Sequence, residues 1–543
     1  MNTRAAPALY LALAALVVAI WFAASASRPL FNPDEGRYAE ISREMLVTGD
    51  WVIPHLDGMP YIEKPPLQYW ATALSFRLFG LSEFAARLYT SLTAIGTLLV
   101  VWLLARKIWN EQAAWRAAAI LLSLSLFVIV GQLLSLDMSL TFYMTLGLAA
   151  FLLAQCRPEN SRWAMPLAWG AIALGVLTKG LVAAAIPAAV LILYSLAARD
   201  WAVWRRLSFG IGLPLFLAVA VPWHWLAERR LPDFLDFYLL REHVERYLTP
   251  VADRQEPWWF FSAVFLAGSL PWTVSAVGAL LRGWRRRGAP GAFDPLLFLR
   301  IWVLFVLVFF SISDSQLIPY IAPAFPALAW LIAVRPVAAL RRDVLIAAAA
   351  TLVAAITLGT ASVFLPRLVA GSARAVYFLP LAGPLVRIAL VLAVSALFVL
   401  IRREREPTGG AVFLAAGWCL GLLLLIRAAG IAAPLYSGRG LAAALPAADR
   451  TAPIYSIETY DQTLPFYWRR TVDLVSYRGE LDYGLRRSPH REIASVAQFV
   501  KRWSALGQAC AIMEIDMFDY LQARGVPMRE LGRDAHRVLV ARR

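Results

Sequence analysis

Charge is scarce in this chain. Asp, Glu, Lys and Arg make up 16% of its 543 residues, where soluble domains carry about 25%, and 60% of the residues are hydrophobic. That balance excludes an ordinary soluble domain and points to a polytopic membrane protein. Cysteine is scarcer still. Cys156, Cys419 and Cys510 are scattered, so neither a disulfide framework in the C-terminal region nor a cysteine metal motif is available. The sequence holds no glycine-rich phosphate loop, and no nucleotide cofactor is expected. No internal repeat is visible.

Apolar length is what the chain has in abundance. A membrane span needs roughly 20 apolar residues, and about thirteen such runs occur, near 7–26, 85–106, 112–134, 138–156, 163–178, 180–198, 206–227, 258–281, 294–312, 316–336, 343–365, 378–402 and 411–434. The shorter, amphipathic segment 66–80 reads as an interfacial helix. The first run is longer than a usual signal core and is expected to stay as an uncleaved anchor. With the N-terminus inside, the basic loops 106–107, 157–162, 199–206, 282–287, 335–342 and 402–405 all fall inside, as positive-inside topology requires. An odd number of spans then puts the C-terminal region outside. The net charge of +16 is accounted for by these loops and by anionic headgroups. Short loops between spans cannot form a continuous groove, so no nucleic acid partner is expected.

Three stretches leave the membrane pattern: 28–84, 228–257 and 435–543. The first has helical patterning at 36–47 and 66–80. In the last, 452–455, 472–476, 509–514 and 538–541 read as strands, and 493–506 and 517–524 as helices. About 105 residues suffice for a small α/β domain, giving a transmembrane domain over 1–434 and a C-terminal domain over 435–543.

Sorted by side, Asp34, Glu35, Arg37, Glu63, Lys64, Asp137, Lys179, His243, Asp314 and Tyr320 share the outer face. No comparable carboxylate cluster faces inward, which favours one extracytoplasmic site. Each residue has a plainer reading too. Asp34 and Glu35 suit the start of a helix, as does Asp137 before Met138. Lys179 suits a snorkelling turn, Glu63-Lys64 a solvated pair, and His243 an ordinary surface position.

Together, Pro33-Asp34-Glu35-Gly36-Arg37-Tyr38, Glu63-Lys64-Pro65-Pro66, Leu177-Thr178-Lys179-Gly180, Glu242-His243 and Leu317-Ile318-Pro319-Tyr320 resemble the polyprenyl-phosphate-dependent membrane glycosyltransferases of the GT-C class. Within it the chain looks most like the bacterial lipid A aminoarabinose transferases, with protein O-mannosyltransferases as more distant relatives. The resemblance implies a GT-C fold of about thirteen transmembrane helices with a C-terminal periplasmic domain. It implies transfer of 4-amino-4-deoxy-L-arabinose from undecaprenyl phosphate to lipid A, by a monomer of the bacterial inner membrane whose site faces the periplasm. Membrane lipids are its other partners, and polymyxin resistance is the implied consequence.

In that reading Lys64, Arg37, Tyr61, Tyr320 and Lys179 bind the donor phosphate, Asp34 and Asp137 are catalytic, and Glu35 positions sugar or acceptor. Glu63 and His243 are the ligands of a divalent metal such as zinc, if one is used. Two alternatives share the donor-binding features: a protein O-mannosyltransferase-like enzyme acting on Ser or Thr, and a non-catalytic lipid transporter.

Overall fold

The computed structural model describes residues 5–245, 255–282, 284, 292–372, 374–403 and 406–542, with the side chains of 5–8, 243 and 244 outside that description. Each apolar run lies on a helix or a bent pair of helices. Among the described residues seven helices are long and apolar enough to cross a membrane, or up to nine if each bent pair is one span. The bent pairs are Glu111–Ser123 with Ser125–Gly131, at 69°, and Phe260–Gly268 with Thr273–Leu281, at 118°. Leu124 takes an extended conformation between the first pair, which breaks the helical hydrogen-bond ladder. Shorter apolar helices lie at Leu9–Ser25, Val182–Ala198 and Ile318–Ala333. The protein is a multi-pass membrane protein.

The C-terminal region folds as a mixed sheet of six strands, ordered Glu492–Ile493, Asp473–Val475, Ile454–Ile457, Cys510–Glu514, Arg537–Arg542, Met528–Arg533. The first four are parallel and the last two antiparallel. Ile454–Ile457 is buried throughout, as suits a parallel strand covered on both faces. Tyr455 and Ile457 pack with Phe499 and Trp503 of the helix Val496–Ala505. Ile454, Leu474, Ile512 and Leu539 face the other way, into a core with Tyr38, Met45, Leu56, Met59 and Tyr69 of the stretch 28–84. The side-chain period of two therefore gives the sheet two cores. One is its own, and the other is shared with the first loop.

That loop carries the helices Asp34–Thr48 and Leu67–Phe79, as its patterning predicts, and a two-stranded hairpin, His55–Leu56 with Met59–Pro60, that it does not. The stretch after residue 230 forms a wide, π-type helical segment, Asp236–Glu245. Phe234 and Tyr238 from this stretch pack with Ile53, Ile62, Trp223 and Tyr483, so all three non-spanning stretches meet.

Candidate active site

Glu35 is the anchor beneath the site. It accepts from Arg28 Nη1 at 2.5 Å and Nη2 at 3.0 Å, and from Arg87 Nε at 2.7 Å and Nη2 at 2.9 Å. The backbone N–H groups of Phe31 and Leu134 donate to it as well, each at 3.0 Å. Burial alone would raise its pKa. The charges of Arg87 and Arg28 outweigh burial and hold the carboxyl well below the usual range. Because the folded value is depressed, the resulting stabilisation is complete above the ordinary carboxylate range and is lost only as pH falls through the depressed value. Glu35 thus stays charged at neutral pH with its oxygens occupied. Positioning of sugar or acceptor by direct contact is not what this geometry offers; Glu35 ties the first loop to Arg87 and Leu134.

Asp34 is the first residue of the helix Asp34–Thr48. Its side chain is 40% exposed where that of Glu35 is 4%, so Asp34 is the more accessible of the two carboxylates. Arg37, one turn on, pairs with Asp34 and with Glu480 of the C-terminal region, and its Nη1 donates to the Tyr61 hydroxyl at 3.4 Å. Burial pushes the Tyr61 phenol well up, with Arg37 opposing, so Tyr61 remains a neutral hydroxyl. Tyr38 feels both acids: burial first, then Asp34, push its phenol up, with Arg37 opposing and Asp137 adding to the push. Asp34 and Asp137 therefore both lie within electrostatic reach of one buried tyrosine.

Asp137 opens the helix Leu136–Cys156, where the Ser135 side chain accepts from its backbone N–H. Lys179 pairs with it. Lys179 ends the helix Ser161–Lys179, and Gly180 at φ +85° makes the turn that only glycine takes without strain. Lys179 Nζ stands 4.3 Å from the ring centroid of Tyr320, a cation–π contact. Lys64 Nζ donates to Glu242 at 2.8 Å and to the Glu63 carbonyl at 2.9 Å. Lys64, Lys179, Glu242 and Tyr320 share a cavity of about 220 Å³, lined also by Ser313 and Ser315 and by the apolar Leu140, Leu181, Val182, Ala185, Phe309 and Phe310, with Asp34 and Asp137 outside its lining.

Of the five expected phosphate ligands, Lys64, Lys179 and Tyr320 line that cavity, while Arg37 and Tyr61 lie outside its lining. Arg37 faces two carboxylates instead. Asp314, between the cavity residues Ser313 and Ser315, is not itself in the lining and accepts from Gln255 at 3.1 Å. The His243 side chain lies outside the described residues. No three of His, Cys, Asp and Glu gather as metal ligands among the described residues. The sequence reading missed Arg28, Arg87 and Glu480. Their partners are far away in sequence, and no local pattern marks them. Glu242 was visible within the Glu242-His243 motif but had no role until its pairing with Lys64 appeared.

The family model described as dolichyl-phosphate-mannose-protein mannosyltransferase matches residues 8–238, and the aminoarabinose transferase C-terminal domain matches 441–542. The crystal structure of ArnT from Cupriavidus metallidurans bound to undecaprenyl phosphate superposes with a TM-score of 0.88 at 31% identity, covering 98% of this chain and 97% of that one. Its apo form superposes equally well, at 30% identity over 99% and 98% of the two chains. An undecaprenyl phosphate-alpha-4-amino-4-deoxy-L-arabinose arabinosyl transferase of Aeromonas salmonicida is 37% identical over 56% of each chain. One of Yersinia enterocolitica is 36% identical over 56% of this chain and 55% of its own. Against these two the matched stretch spans little more than half their length. The fold and the lysine-lined cavity beneath the first loop define a membrane glycosyltransferase architecture of the GT-C type. More narrowly, the chain belongs to the ArnT family of aminoarabinose transferases.

Proposed function

We propose that the protein transfers 4-amino-4-deoxy-L-arabinose from undecaprenyl phosphate to a phosphate of lipid A. It works as a monomer in the bacterial inner membrane, with about thirteen crossings and its site facing the periplasm. The observation that carries this reading is the cavity lined by two lysines and a tyrosine together with apolar side chains, which suits a phosphate on a lipid chain. Lipid A phosphate attacks the anomeric carbon as that carbon's bond to the donor phosphate breaks, and undecaprenyl phosphate leaves with the bonding electrons. Lys64 and Lys179 stabilise the charge that grows on the leaving phosphate, more in the transition state than before it. An anionic acceptor needs no deprotonation. Asp34 therefore acts by its charge, steadying the positive charge that develops on the sugar ring, and Asp137 holds Lys179 and the sugar's amine nearby. The added amine offsets negative charge on lipid A, and resistance to polymyxin and other cationic peptides follows.

Mass spectrometry of lipid A from cells with and without the gene tests the assignment. Aminoarabinose on lipid A only when the gene is present is the expected result. Sugar on envelope proteins in its place would favour the mannosyltransferase-like reading that the match over 8–238 raises. Lys64→Ala removes a charged hydrogen bond of about 1.5–3 kcal/mol, so donor affinity should fall at least about tenfold; unchanged affinity removes Lys64 from the phosphate site. A divalent metal at Glu63 and His243 stays within the proposal and stands on metal analysis of purified protein. The expected result is bound zinc in active protein that is lost in His243→Ala. Full activity without metal discards it.

A further inference from the structure

The C-terminal region does more than cover the first loop. Asn32, two residues before Asp34, donates through Nδ2 to Asp461 at 2.6 Å, and its backbone N–H donates to the Tyr436 carbonyl at 2.8 Å. Leu30 N–H donates to the Tyr467 hydroxyl at 2.8 Å. Gly36, two residues after Asp34, meets the backbone of 462–463 so closely that a Cβ there would lie 2.6 Å from Gln462 C and Thr463 N. On the far side of Arg37 stands Glu480, whose Oε1 accepts from Gln462 Nε2 at 2.8 Å while Oε2 accepts from Arg37 Nη1. The next helix, Asp482–Arg487, reaches the other loop, where Arg487 pairs with Asp233 and the Tyr483 hydroxyl donates to Asp233 at 3.2 Å. The segment 479–487 thus touches both loops that carry site residues.

We infer that Glu480 is a positioning residue for sugar transfer: it fixes the Arg37 guanidinium from behind, so that Arg37 holds Asp34 aimed at the reacting sugar. The physical reason lies in the geometry of arginine, whose planar fork binds two carboxylates only in one orientation. Arg37 is 6% exposed in its side chain and has one carboxylate on each side. With Glu480 in place its charge is divided between a fixed partner and a reachable one. Without Glu480 the whole guanidinium is free to swing onto Asp34, which shifts and neutralises the group that faces the substrate. Small misplacements of this kind weigh on the chemical step, where geometry is most demanding. Donor binding is affected less, because Lys64 and Lys179 line a cavity that contains neither Arg37 nor Glu480. The C-terminal region thereby becomes a working part of the active site, although no residue of it lines the cavity.

This inference rests on the reading of Asp34 given above, and its test keeps the two separable. The full-length protein, purified and reconstituted, is assayed for transfer of labelled sugar from undecaprenyl phosphate to lipid A, with kcat and donor KM measured separately. Glu480→Gln, nearly the same shape without the charge, should lower kcat at least about tenfold while donor KM and unfolding temperature hold. Combined with Arg37→Lys, it should add little to the loss from Arg37→Lys alone, since both act through one guanidinium. Gln462→Leu, which removes only the amide steadying Glu480, should give the same kcat pattern at smaller amplitude and serves if Glu480→Gln does not accumulate. Wild-type kcat in these variants, or fully additive losses in the double variant, would overturn the role of Glu480. If Asp34→Asn is inactive in the same assay, the Asp34 reading survives that failure. Normal turnover by Asp34→Asn would overturn both.

Discussion

Asp34→Asn lowers sugar transfer by about 10²–10³, the usual loss when a preorganised electrostatic group is removed from a transition state. The substitution keeps the shape and removes the charge. Asp34 is 40% exposed and makes no side-chain cap to its own helix, so stability should change by no more than about 1 kcal/mol. Donor binding, carried by Lys64 and Lys179, should stay close to wild type. The expected signature is therefore a folded protein that binds its donor and barely turns over. Transfer assays in membranes, beside donor-binding and unfolding measurements, separate these effects. Turnover near wild type would remove Asp34 from the chemistry.

Arg87→Ala has the opposite signature. Arg87 is 1% exposed in its side chain and donates to both oxygens of Glu35 and to the carbonyls of Ser25, Arg28 and Pro29. Its removal leaves Glu35 with the charge of Arg28 and two backbone N–H groups and strips buried carbonyls of their donor. Breaking a buried ion pair from one side costs about 3–5 kcal/mol, a large share of the roughly 5–15 kcal/mol that keeps a native domain folded. The variant should accumulate poorly and unfold at much lower temperature in detergent. Arg87→Lys keeps the charge but cannot reach all of these acceptors, and should fall between. An unchanged unfolding temperature for Arg87→Ala would show that the Glu35 network does not hold the loop.

The two predictions also mark what the sequence made legible. Asp34, Lys64, Asp137, Lys179 and Tyr320 could be placed on one face because they flank apolar runs of membrane length and the basic loops set the parity of the spans. The strands expected at 452–455 and 509–514 overlap Ile454–Ile457 and Cys510–Glu514, because buried parallel strands are largely apolar. Met528–Arg533 was not, since its polar sequence forms a strand only by pairing with Arg537–Arg542. Glu35 and Arg37 show where local reading stops. A charged residue in a motif looks the same whether it faces a substrate or a buried counter-ion. The partners that decide it, Arg87 and Glu480, lie 52 and 443 residues away. Helix and strand periodicity carries no information at such separations; the fold supplies it.

The most direct test uses the purified full-length protein in lipid vesicles with undecaprenyl-phosphate-linked aminoarabinose and lipid A as the only substrates. Mass spectrometry of the recovered lipid A should show the aminoarabinose adduct on phosphate with wild-type protein and none with Asp34→Asn. Unmodified lipid A from active, donor-binding wild-type protein would contradict the account.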